Sequence, residues 1–399
     1  MAEEYSVVVA GHLCLDIVPD MSGISQVSFQ QLFLPGRLIV TGPAALTTGG
    51  PVSNTGLALH KLGVGTRLMG KVGDDLFGHA MIGIVQSFGA QLADVMIVDP
   101  AVSSSYTVII NPPGFDRIFL HCPSANDTFS ADDIRYDLLE GARLFHFGYP
   151  PLMKLMYSED GRQCAEVFRR AKQTGVTTSL DMALPDPTSP AGRVDWVKIL
   201  RATLPHVDVF LPSIEEILYM LRRDTYDVLW RNADGHDILP LVTPALLSDL
   251  SDELLALGPK IVGLKLGYRG LYLRTGRRAA IEGLGRARPS NVVAWADQEL
   301  WTPCFKVNLV GAAGSGDSTI AGFLCALLRD LLPADAVTAA VAVGACNVEA
   351  ADTLSGVRPW DETLQRVAAG WERHALNIDA PGWRLDGVRQ IWRRSGSAA

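Results

Sequence analysis

The sequence predicts an α/β fold: a doubly wound, mostly parallel sheet flanked by helices, with a small β-sheet lid. From residue 142 onward, short apolar strands alternate with amphipathic helices, which is the pattern of repeated βαβ units. A β-branched run at residues 5–10 opens the chain as a strand. Residues 25–46 and 101–122 instead alternate apolar and polar side chains, which is typical of a sheet with one solvated face.

The remaining elements follow from the same periodicities. Residues 53–63 and 75–89 have helical periodicity, with a strand at 66–71 between them. The later strands are predicted at residues 144–147, 177–181, 207–211, 261–266, 270–273 and 303–310. The later helices are predicted at residues 158–174, 192–203, 213–222, 244–257, from 317 onward, and over the apolar run 336–351. Residues 223–243 and 276–300 are polar and long, so they are predicted to be surface loops.

Composition narrows the class of protein. With 399 residues, 48% hydrophobic and 20% charged, the chain has an ample core. A net charge of −8 argues against a nucleic-acid binder. The six cysteines have no C-x-x-C or metal-site spacing, so no disulfide is expected. The N-terminus is acidic and does not resemble a signal peptide. We therefore expect a cytoplasmic protein without membrane or nucleic-acid partners.

A glycine-rich turn carries the strongest functional signal. Gly311, Gly314 and Gly316 stand between a predicted strand and a strongly helical sequence at 320–332. Such a turn exposes unpaired N–H groups at the positive end of a helix dipole, which favours an anion. The spacing differs from both the dinucleotide fingerprint and the P-loop.

Asp317 lies in the same turn. A carboxylate beside a phosphate site is unfavourable unless it has a chemical role, and a base next to an anion hole is what phosphoryl transfer to a hydroxyl requires. The alternative is that Asp317 only caps the helix while the glycines allow close packing, which is the commoner use of such residues.

A second motif supports the chemical interpretation. Gly49-Gly50-Pro51-Val52-Ser53-Asn54 runs on through Gly70-Lys71-Val72-Gly73-Asp74 to Gly78. Together with Gly314-Ser315-Gly316-Asp317, it resembles the two signatures of the PfkB, or ribokinase-like, carbohydrate kinases. The resemblance implies one kinase domain over residues 1–395, with lid segments at about 17–46 and 101–125. It further implies a sugar acceptor, ATP and Mg²⁺, and it allows a homodimer through the lid.

The acceptor side is predicted from residues that follow strands. A carboxylate at Asp16 points into the crevice where α/β folds bind ligands and can accept bonds from sugar hydroxyls, although a turn aspartate bonding its own backbone is the alternative. Gly49 and Gly50 permit close backbone approach, and Asn54 offers both a donor and an acceptor. The resemblance assigns these residues to the acceptor.

The resemblance adds further acceptor residues and shows departures from the family pattern. Arg117 and Asn126 fall where the family contacts acceptor or phosphate, with a surface charge as the alternative for Arg117. Tyr149 and Asp181 follow strands and are candidates to line the pocket. The Asn and Arg that many sugar kinases have after this aspartate are missing, so fructose contacts do not carry over. His12 stands where the family commonly has Asp.

The nucleotide side also rests on resemblance. The turn from Leu264 to Gly270 resembles the loop that approaches the ATP phosphates, and Glu216 matches the glutamate that organises Mg²⁺ through water. The residues implied for the nucleotide are Lys265, Gly267, Gly270, Ala313 and Asn347. Ser213 replaces the family's Asn, and Ser213 with Glu216 also fits a capping box. Gly311 replaces an Asp of the monovalent-cation site, which argues against K⁺.

The resulting prediction is ATP-dependent phosphorylation of a hydroxymethyl group on a sugar or sugar-like acceptor. Asp317 is the general base, and the backbone from Ala313 to Gly316, with Gly314 and Ser315 between them, is the anion hole. A nucleoside (adenosine-like) kinase and a catalytically weak ligand-binding protein of the same fold stay open as alternatives. An oxidoreductase is disfavoured, because no G-x-G-x-x-G follows the first strand.

Overall fold

A computed structural model describes residues 5–24, 34–113 and 117–394. Numbered in chain order, its strands are β1 Val7–Gly11, β2 Cys14–Pro19, β3 Ala44–Gly49, β4 Thr66–Met69, β5 Lys71–Gly73, β6 Ile97–Asp99, β7 Tyr106–Ile110, β8 Ile118–Cys122, β9 Leu144–Gly148, β10 Thr177–Asp181, β11 Val209–Phe210, β12 Ile261–Lys265, β13 Leu271–Thr275, β14 Glu299–Thr302, β15 Trp383–Asp386 and β16 Ile391–Arg394.

The α-helices in the described ranges are numbered in the same way. They are α1 Pro51–Lys61, α2 Leu76–Phe88, α3 Tyr136–Leu139, α4 Lys154–Tyr157, α5 Arg162–Gln173, α6 Trp196–Thr203, α7 Ile214–Leu221, α8 Arg223–Asn232, α9 Pro244–Ala256, α10 Arg278–Glu282, α11 Val292–Trp295, α12 Ser315–Leu328, α13 Pro333–Asn347 and α14 Trp360–Ala368. None of these combines the length and apolarity needed to traverse a bilayer.

The main sheet has ten strands in the order β15-β16-β14-β13-β12-β11-β10-β9-β1-β4. Strands from β12 to β4 run parallel, and the four at the other edge are antiparallel. Successive side chains of β1 enter different hydrophobic clusters, Val7 and Val9 on one face and Val8 and Ala10 on the other. Helices α12 and α13 cover the first face, and α5 and α9 cover the second. This confirms the doubly wound, mostly parallel sheet.

A separate four-stranded sheet has the order β3-β2-β7-β8. It joins the main sheet directly, because β2 begins three residues after β1 ends. The strand register puts Leu46 and Leu120 on the same face, and each is 52% exposed, so one face is solvated as predicted. This confirms a small second sheet. Of the lid segments, residues 25–33 and 114–116 lie outside the described residues, and the single-domain assignment stays a prediction.

Three predictions about local structure are wrong. Residues 303–310 do not form a strand, because β14 ends at Thr302 and Pro303, which follows it, has no N–H for the ladder. Residues 223–243 contain helix α8, in which Tyr226 is buried, stacks on Trp230 and contacts Tyr219. Packing of one aromatic face thus stabilises a helix whose composition is mostly polar.

Residues 276–300 also differ from the predicted loop. They contain α10, α11 and the start of β14. The hairpin β15–β16, which extends the antiparallel edge of the sheet, is not among the elements predicted from the sequence. All six cysteines are free, in agreement with the prediction.

Candidate active site

The carboxyl ends of the parallel strands lie side by side at one edge of the main sheet. Gly11 at the end of β1 is opposite Gly148 at the end of β9, which is opposite Asp181 at the end of β10. Lys265 ends β12 two strands further along. Residues that end or follow these strands face a common crevice, which is where open α/β sheets bind ligands.

Asp317 is 2% exposed and lies in the first turn of α12. Its Oδ2 accepts a hydrogen bond from Asn54 Nδ2 at 3.0 Å, and its Oδ1 accepts one from Thr55 Oγ1 at 3.3 Å. The Tyr149 hydroxyl lies 3.1 and 3.0 Å from the two carboxylate oxygens. Burial raises the pKa of Asp317, and the hydrogen bond from Asn54 and the charge of Lys265 oppose this shift. The result is a buried, oriented carboxylate that is more basic than a surface aspartate.

The glycine turn leaves the start of α12 without a side-chain cap. Gly314 occupies the N-cap position with φ 71°, a left-handed conformation that favours glycine. Asp317 is the third helical residue and bonds across the crevice, so the capping interpretation is wrong. The first backbone N–H groups of α12 carry the positive end of the helix dipole. Lys265 lies beside this turn, since a side-chain carbon added at Gly316 would be 3.7 Å from its Nζ.

Lys265 belongs to a group of buried charges that also includes Asp181 and Glu216. Its Nζ lies 2.6 Å from Asp181 Oδ1, and the two side chains are 13% and 0% exposed. Burial disfavours the lysine charge, but the carboxylates of Asp181 and Glu216 outweigh it and raise the pKa of Lys265. Burial also raises the pKa of Asp181 and of Glu216, against the opposing charge of Lys265.

The charge of this group does not balance. Asp181, Glu216 and Asp317 interact electrostatically with a single ammonium, that of Lys265. In the described part of the chain, Asp181 Oδ2 has no hydrogen-bond partner. A buried carboxylate oxygen without a donor is costly unless a cation or another donor reaches it. The arrangement therefore suits a small hard cation, which prefers oxygen ligands.

Glu216 also has the structural role that the sequence offered as its alternative. Ser213 caps α7, with Ser213 Oγ accepting from Glu216 N at 3.3 Å and Glu216 Oε2 accepting from Ser213 N at 2.6 Å. The capping box is therefore present. The Glu216 carboxylate also interacts electrostatically with Lys265, so it belongs to the buried charged group even though it caps α7. The capping box is therefore compatible with a metal role. That role stays a prediction.

Asp16 lies on β2 at the junction between the two sheets. It is 8% exposed, and Cys14 Sγ donates to its Oδ1 at 3.4 Å. Burial raises the pKa of Asp16 to about 6, while bonds from Cys14 and Thr107 oppose the shift. A side chain at Gly49 would overlap the Asp16 carboxylate, so only glycine fits there. The carboxylate bonds to other residues rather than to its own turn, so the turn-aspartate alternative is wrong.

The other predicted acceptor residues support this region in different ways. Gly50 is the N-cap of α1 with φ 89°, and it sets the direction in which Asn54 enters the crevice. Both amide atoms of Asn126 bond to the backbone of Leu13, at 3.1 and 2.9 Å. Asn126 therefore fixes the segment that joins β1 to β2. Arg117 stands just before β8, with its guanidinium carbon 5.8 Å from the Phe119 ring centre. Contacts of these residues with an acceptor stay predictions.

Of the predicted nucleotide residues, Ala313 lies in the glycine turn and Lys265 lies beside it. Gly267 and Gly270 bound the turn between β12 and β13, with φ 49° and 92°. Asn347 ends α13, and its Nδ2 donates to Thr353 O at 2.6 Å. Thr353 in turn packs against Gly314, so Asn347 indirectly supports the turn. Ala313 immediately precedes that glycine.

Sequence reasoning did not identify two of the residues that hold Asp317. Thr55 directly follows Asn54 on α1, and both side chains bond to Asp317. Its position next to Asn54 was the sequence feature that could have identified it. Tyr149 was expected only to line the pocket. It follows β9 in a left-handed conformation with φ 62°, which is uncommon for a bulky residue. Such a conformation persists only where the surrounding structure holds the residue in place.

Comparison with known proteins gives a consistent result. The family model described as pfkB family carbohydrate kinase matches residues 6–360. Fructokinase-2 of Oryza sativa subsp. japonica is 27% identical over 231 residues, which cover 57% of this chain and 63% of that protein. Probable fructokinase-5 of Arabidopsis thaliana is 25% identical over 332 residues, which cover 83% of this chain and 85% of that protein. The match to the rice protein thus spans less than two thirds of its length.

Solved structures show the same fold. A fructokinase with bound ATP from Xylella fastidiosa has a TM-score of 0.66 at 16% identity, covering 92% of this chain and 99% of that chain. An Arabidopsis thaliana ribokinase complexed with ribose and ATP has a TM-score of 0.64 at 17% identity, covering 90% and 98%. At such identities the likeness establishes the architecture, a ribokinase-like α/β sheet.

Proposed function

The chain belongs to the pfkB family of carbohydrate kinases, and we propose that it transfers the γ-phosphoryl group of ATP to a hydroxymethyl oxygen of a sugar acceptor. The single observation that carries the proposal is the placement of Asp317. It is a buried carboxylate in the first turn of an uncapped helix, held by three donors and adjacent to Lys265. A base beside an anion hole suits phosphoryl transfer to an alcohol.

Asp317 acts as the general base. The acceptor hydroxyl binds within hydrogen-bond reach of its carboxylate and gives up its proton as the oxygen attacks the γ-phosphorus. The bond to the β,γ-bridging oxygen breaks, and ADP leaves with that electron pair. Asn54, Thr55 and Tyr149 fix the orientation of the carboxylate. Its raised pKa brings its basicity closer to neutral pH, where proton transfer is more effective.

The glycine turn and Lys265 hold the phosphates. Backbone N–H groups from Ala313 to Gly316 donate to the phosphoryl oxygens, and the Lys265 ammonium beside Gly316 offsets their charge. Lys265 keeps its charge at neutral pH, because neighbouring carboxylates raise its pKa despite burial. Gly267 and Gly270 let the adjoining turn approach the nucleotide closely.

Asp181 and Glu216 are the residues that would hold Mg²⁺. Their fit rests on the unpartnered Oδ2 of Asp181 and on the excess of buried carboxylate charge near Lys265. Mg²⁺ held by these residues would neutralise part of the charge on the phosphate groups. The capping box fixes the Glu216 side chain in one orientation and so limits the entropy lost when it contacts the ion or its water shell.

Asp16 and Asn54 bind the acceptor in this proposal. Asp16 in its ionised form accepts two hydrogen bonds from vicinal hydroxyls, and Asn54 has an unpartnered amide oxygen within the described ranges. The lid sheet, on which Asp16 lies, closes over the acceptor and excludes water.

A nucleoside acceptor is the second candidate. Three rings adjoin the acceptor side, with the His12 ring centre 5.2 Å from that of His121 and 6.2 Å from that of Tyr149. Flat apolar bases stack on such rings. The carboxylate at Asp16 suits the ribose of a nucleoside equally well, so the two candidates differ only beyond the ribose.

A coupled ADP-release assay over sugars and nucleosides tests the proposal. We expect turnover with at least one free sugar, abolished in Asp317→Asn and unchanged in Asp132→Asn, whose side chain is 90% exposed. Turnover with nucleosides alone would favour the second candidate. The assignment would be contradicted if no compound in the panel supported ADP release. Turnover in Asp317→Asn equal to that of the unchanged protein would also contradict it.

A further inference from the structure

The inner face of the lid sheet carries a row of polar side chains. His121 on β8 is opposite Thr107 on β7, and Thr107 is opposite Asp16 on β2. His12 lies in the segment that links β1 to β2, and Cys14 is the first residue of β2. The row therefore brings together two imidazoles, a thiol and a carboxylate, although the cysteines show no metal-site spacing in the sequence.

The distances within this group suit metal coordination. His12, Cys14 and His121 each offer a ligand atom, and all these atoms lie within 4.8 Å of one another. Nε2 of His12 is 3.4 Å from Nε2 of His121. Two nitrogens bound to one tetrahedral Zn²⁺ at about 2.0–2.1 Å are separated by about 3.3–3.4 Å. The two imidazoles thus already have the separation of paired ligands.

The surroundings orient the ligands. Thr107 Oγ1 lies 3.0 Å from Nδ1 of His121, so it can accept the Nδ1 proton and turn Nε2 toward His12. Partners of this kind fix metal-binding histidines and raise their basicity. His12 is 2% exposed, and within the described residues its Nδ1 has no hydrogen-bond partner. His121 lies on an edge strand and is exposed, which provides an entry path.

We propose that His12, Cys14 and His121 supply three ligands to a borderline-soft divalent cation such as Zn²⁺. Cys14 Sγ lies 3.4 Å from Asp16 Oδ1, so the Asp16 carboxylate is adjacent to one of the three ligands. The Cys14 thiol loses its proton to solvent on coordination. Thiolate and imidazole select Zn²⁺ over Mg²⁺, which prefers oxygen ligands. The site is therefore separate in chemistry from the Asp181 and Glu216 carboxylates.

Such a site would control access to the acceptor crevice. The ion would join His121 on the lid edge to His12 beside the main sheet and would bind the Cys14 sulfur that contacts Asp16. This consequence rests on the proposed function, in which Asp16 binds the acceptor. Zn²⁺ should then inhibit phosphoryl transfer competitively with the acceptor, whereas the binding itself can be measured without any activity.

Binding is tested on the full chain, stripped of metal with a chelator and titrated with Co²⁺ and then Zn²⁺. We expect one tetrahedral Co²⁺ per chain with a thiolate-to-cobalt charge-transfer band, displaced by Zn²⁺ and not by Mg²⁺. The band should vanish in Cys14→Ser and persist in the matched control Cys122→Ser, whose side chain is on the opposite face of β8. Thr107→Val should weaken Zn²⁺ binding by about 10–100-fold.

Two results would overturn the proposal. One is a wild-type Co²⁺ spectrum without the charge-transfer band, and the other is a band of full intensity in Cys14→Ser. If Cys14→Ser fails to fold by circular dichroism, His121→Gln decides instead, because that side chain is exposed. Zn²⁺ affinity must then fall by at least about tenfold, by analogy with losses caused by changing a ligand's supporting residue. An unchanged affinity would also overturn the proposal.

Discussion

Replacing Asp317 separates its chemical role from its structural one. Asp317→Asn keeps the size of the side chain and two hydrogen-bonding groups but removes its basicity. Loss of a general base typically lowers turnover by about 10²–10⁴-fold, and we expect a kcat decrease in that range. Steady-state kinetics and thermal unfolding of both forms measure it. Asp132→Asn is the control, and near-normal kcat in Asp317→Asn would remove Asp317 from the mechanism.

Tyr149 is expected to position Asp317 and to tune its basicity. Its hydroxyl contacts both carboxylate oxygens and lowers the pKa that burial raises. In Tyr149→Phe the pKa of Asp317 should therefore rise further, and the acidic limb of the kcat profile should move to higher pH. The acceptor KM should change little.

The pH profile of kcat measures this shift. A merely structural role for Tyr149 would lower kcat uniformly without moving the limb. Tyr157→Phe is a suitable control, because Tyr157 lies on α4 and is not among the residues whose hydrogen bonds to Asp317 are described.

Asp16 should give acceptor binding its own pH dependence. Burial raises the pKa of Asp16 from 3.8 to about 6, so the ionised form that accepts two sugar hydroxyls predominates only above about pH 6. We expect the acceptor KM to rise as pH falls through that value while ATP affinity stays constant. In Asp16→Asn this dependence should disappear, and a hydrogen bond to a charged group worth about 1.5–3 kcal/mol should be lost. Isothermal calorimetry with each ligand separates the two affinities.

The same shift affects stability with the opposite sign. Because the folded protein holds the proton more tightly, the unfolding free energy contributed by Asp16 is present below pH 3.8 and is lost as pH rises toward about 6. Asp16→Asn should therefore be relatively more stable above pH 6. A greater loss of stability in the variant at pH 7 than at pH 4 would contradict the raised pKa.

At the scale of elements, the capping box of α7 can be separated from a metal role. Glu216→Gln retains a residue that supports the box, so its melting temperature should change little. If Glu216 holds Mg²⁺, the concentration for half-maximal rate should rise. Ser213→Ala should do the reverse, costing about 1 kcal/mol of stability with an unchanged Mg²⁺ curve. A Mg²⁺ titration unaffected by Glu216→Gln would leave only the cap.

The elements show where sequence patterns suffice. Strands such as Thr177–Asp181 and Ile261–Lys265 are short and mostly buried, and their positions were predicted almost to the residue. Helix α8 was missed because its stability comes from Tyr226 packing against other aromatic residues rather than from a wide apolar face. The strand predicted at 303–310 does not form. Apolar residues of this segment, Val310 for example, are exposed instead of being buried in the sheet.

At the site, sequence motifs predict individual residues but not the contacts between them. Asp317, Asn54 and Lys265 come from motifs and lie in one crevice. Asn54 and Asp317, which are hydrogen-bonded, are separated by 263 positions in the sequence. A local sequence pattern cannot predict a contact between residues so far apart in the chain. The group of His12, Cys14 and His121 could not be predicted from the sequence for the same reason. These residues come together only because β7 pairs with both β8 and β2.

At the scale of the whole molecule, the segment beyond residue 360, where the family match ends, extends one edge of the main sheet and contacts the connection that leads to the glycine turn. Hairpin β15–β16 pairs with β14, and Arg394 reaches the buried Glu299 at 3.2 Å. Closer to the site, Trp371 Nε1 donates to Lys306 O at 2.8 Å, and the Lys306 ammonium pairs with Glu372. These contacts hold the start of the connection that leads from β14 to the turn.

Arg373 is the residue through which this segment should matter most. Its guanidinium donates to Thr302 Oγ1, Pro303 O and Thr338 Oγ1 at 2.7, 3.0 and 3.1 Å, and its central carbon lies 4.2 Å from the Phe305 ring centre. Truncation therefore removes several charge-assisted bonds at once. Each is worth about 1.5–3 kcal/mol but they share one side chain, so Arg373→Ala should lower the unfolding free energy by about 2–4 kcal/mol.

The matched control is Arg389→Ala, since Arg389 is 43% exposed and its pair with Asp335 is worth about 0–1 kcal/mol. Urea unfolding measures both variants. Because Phe305 anchors the path to Asp317, Arg373→Ala should also lower kcat, whereas Arg389→Ala should not. Equal stability losses in the two variants would show that the C-terminal segment is attached to the turn only weakly and that the glycine turn is fixed by α12 and α13 alone.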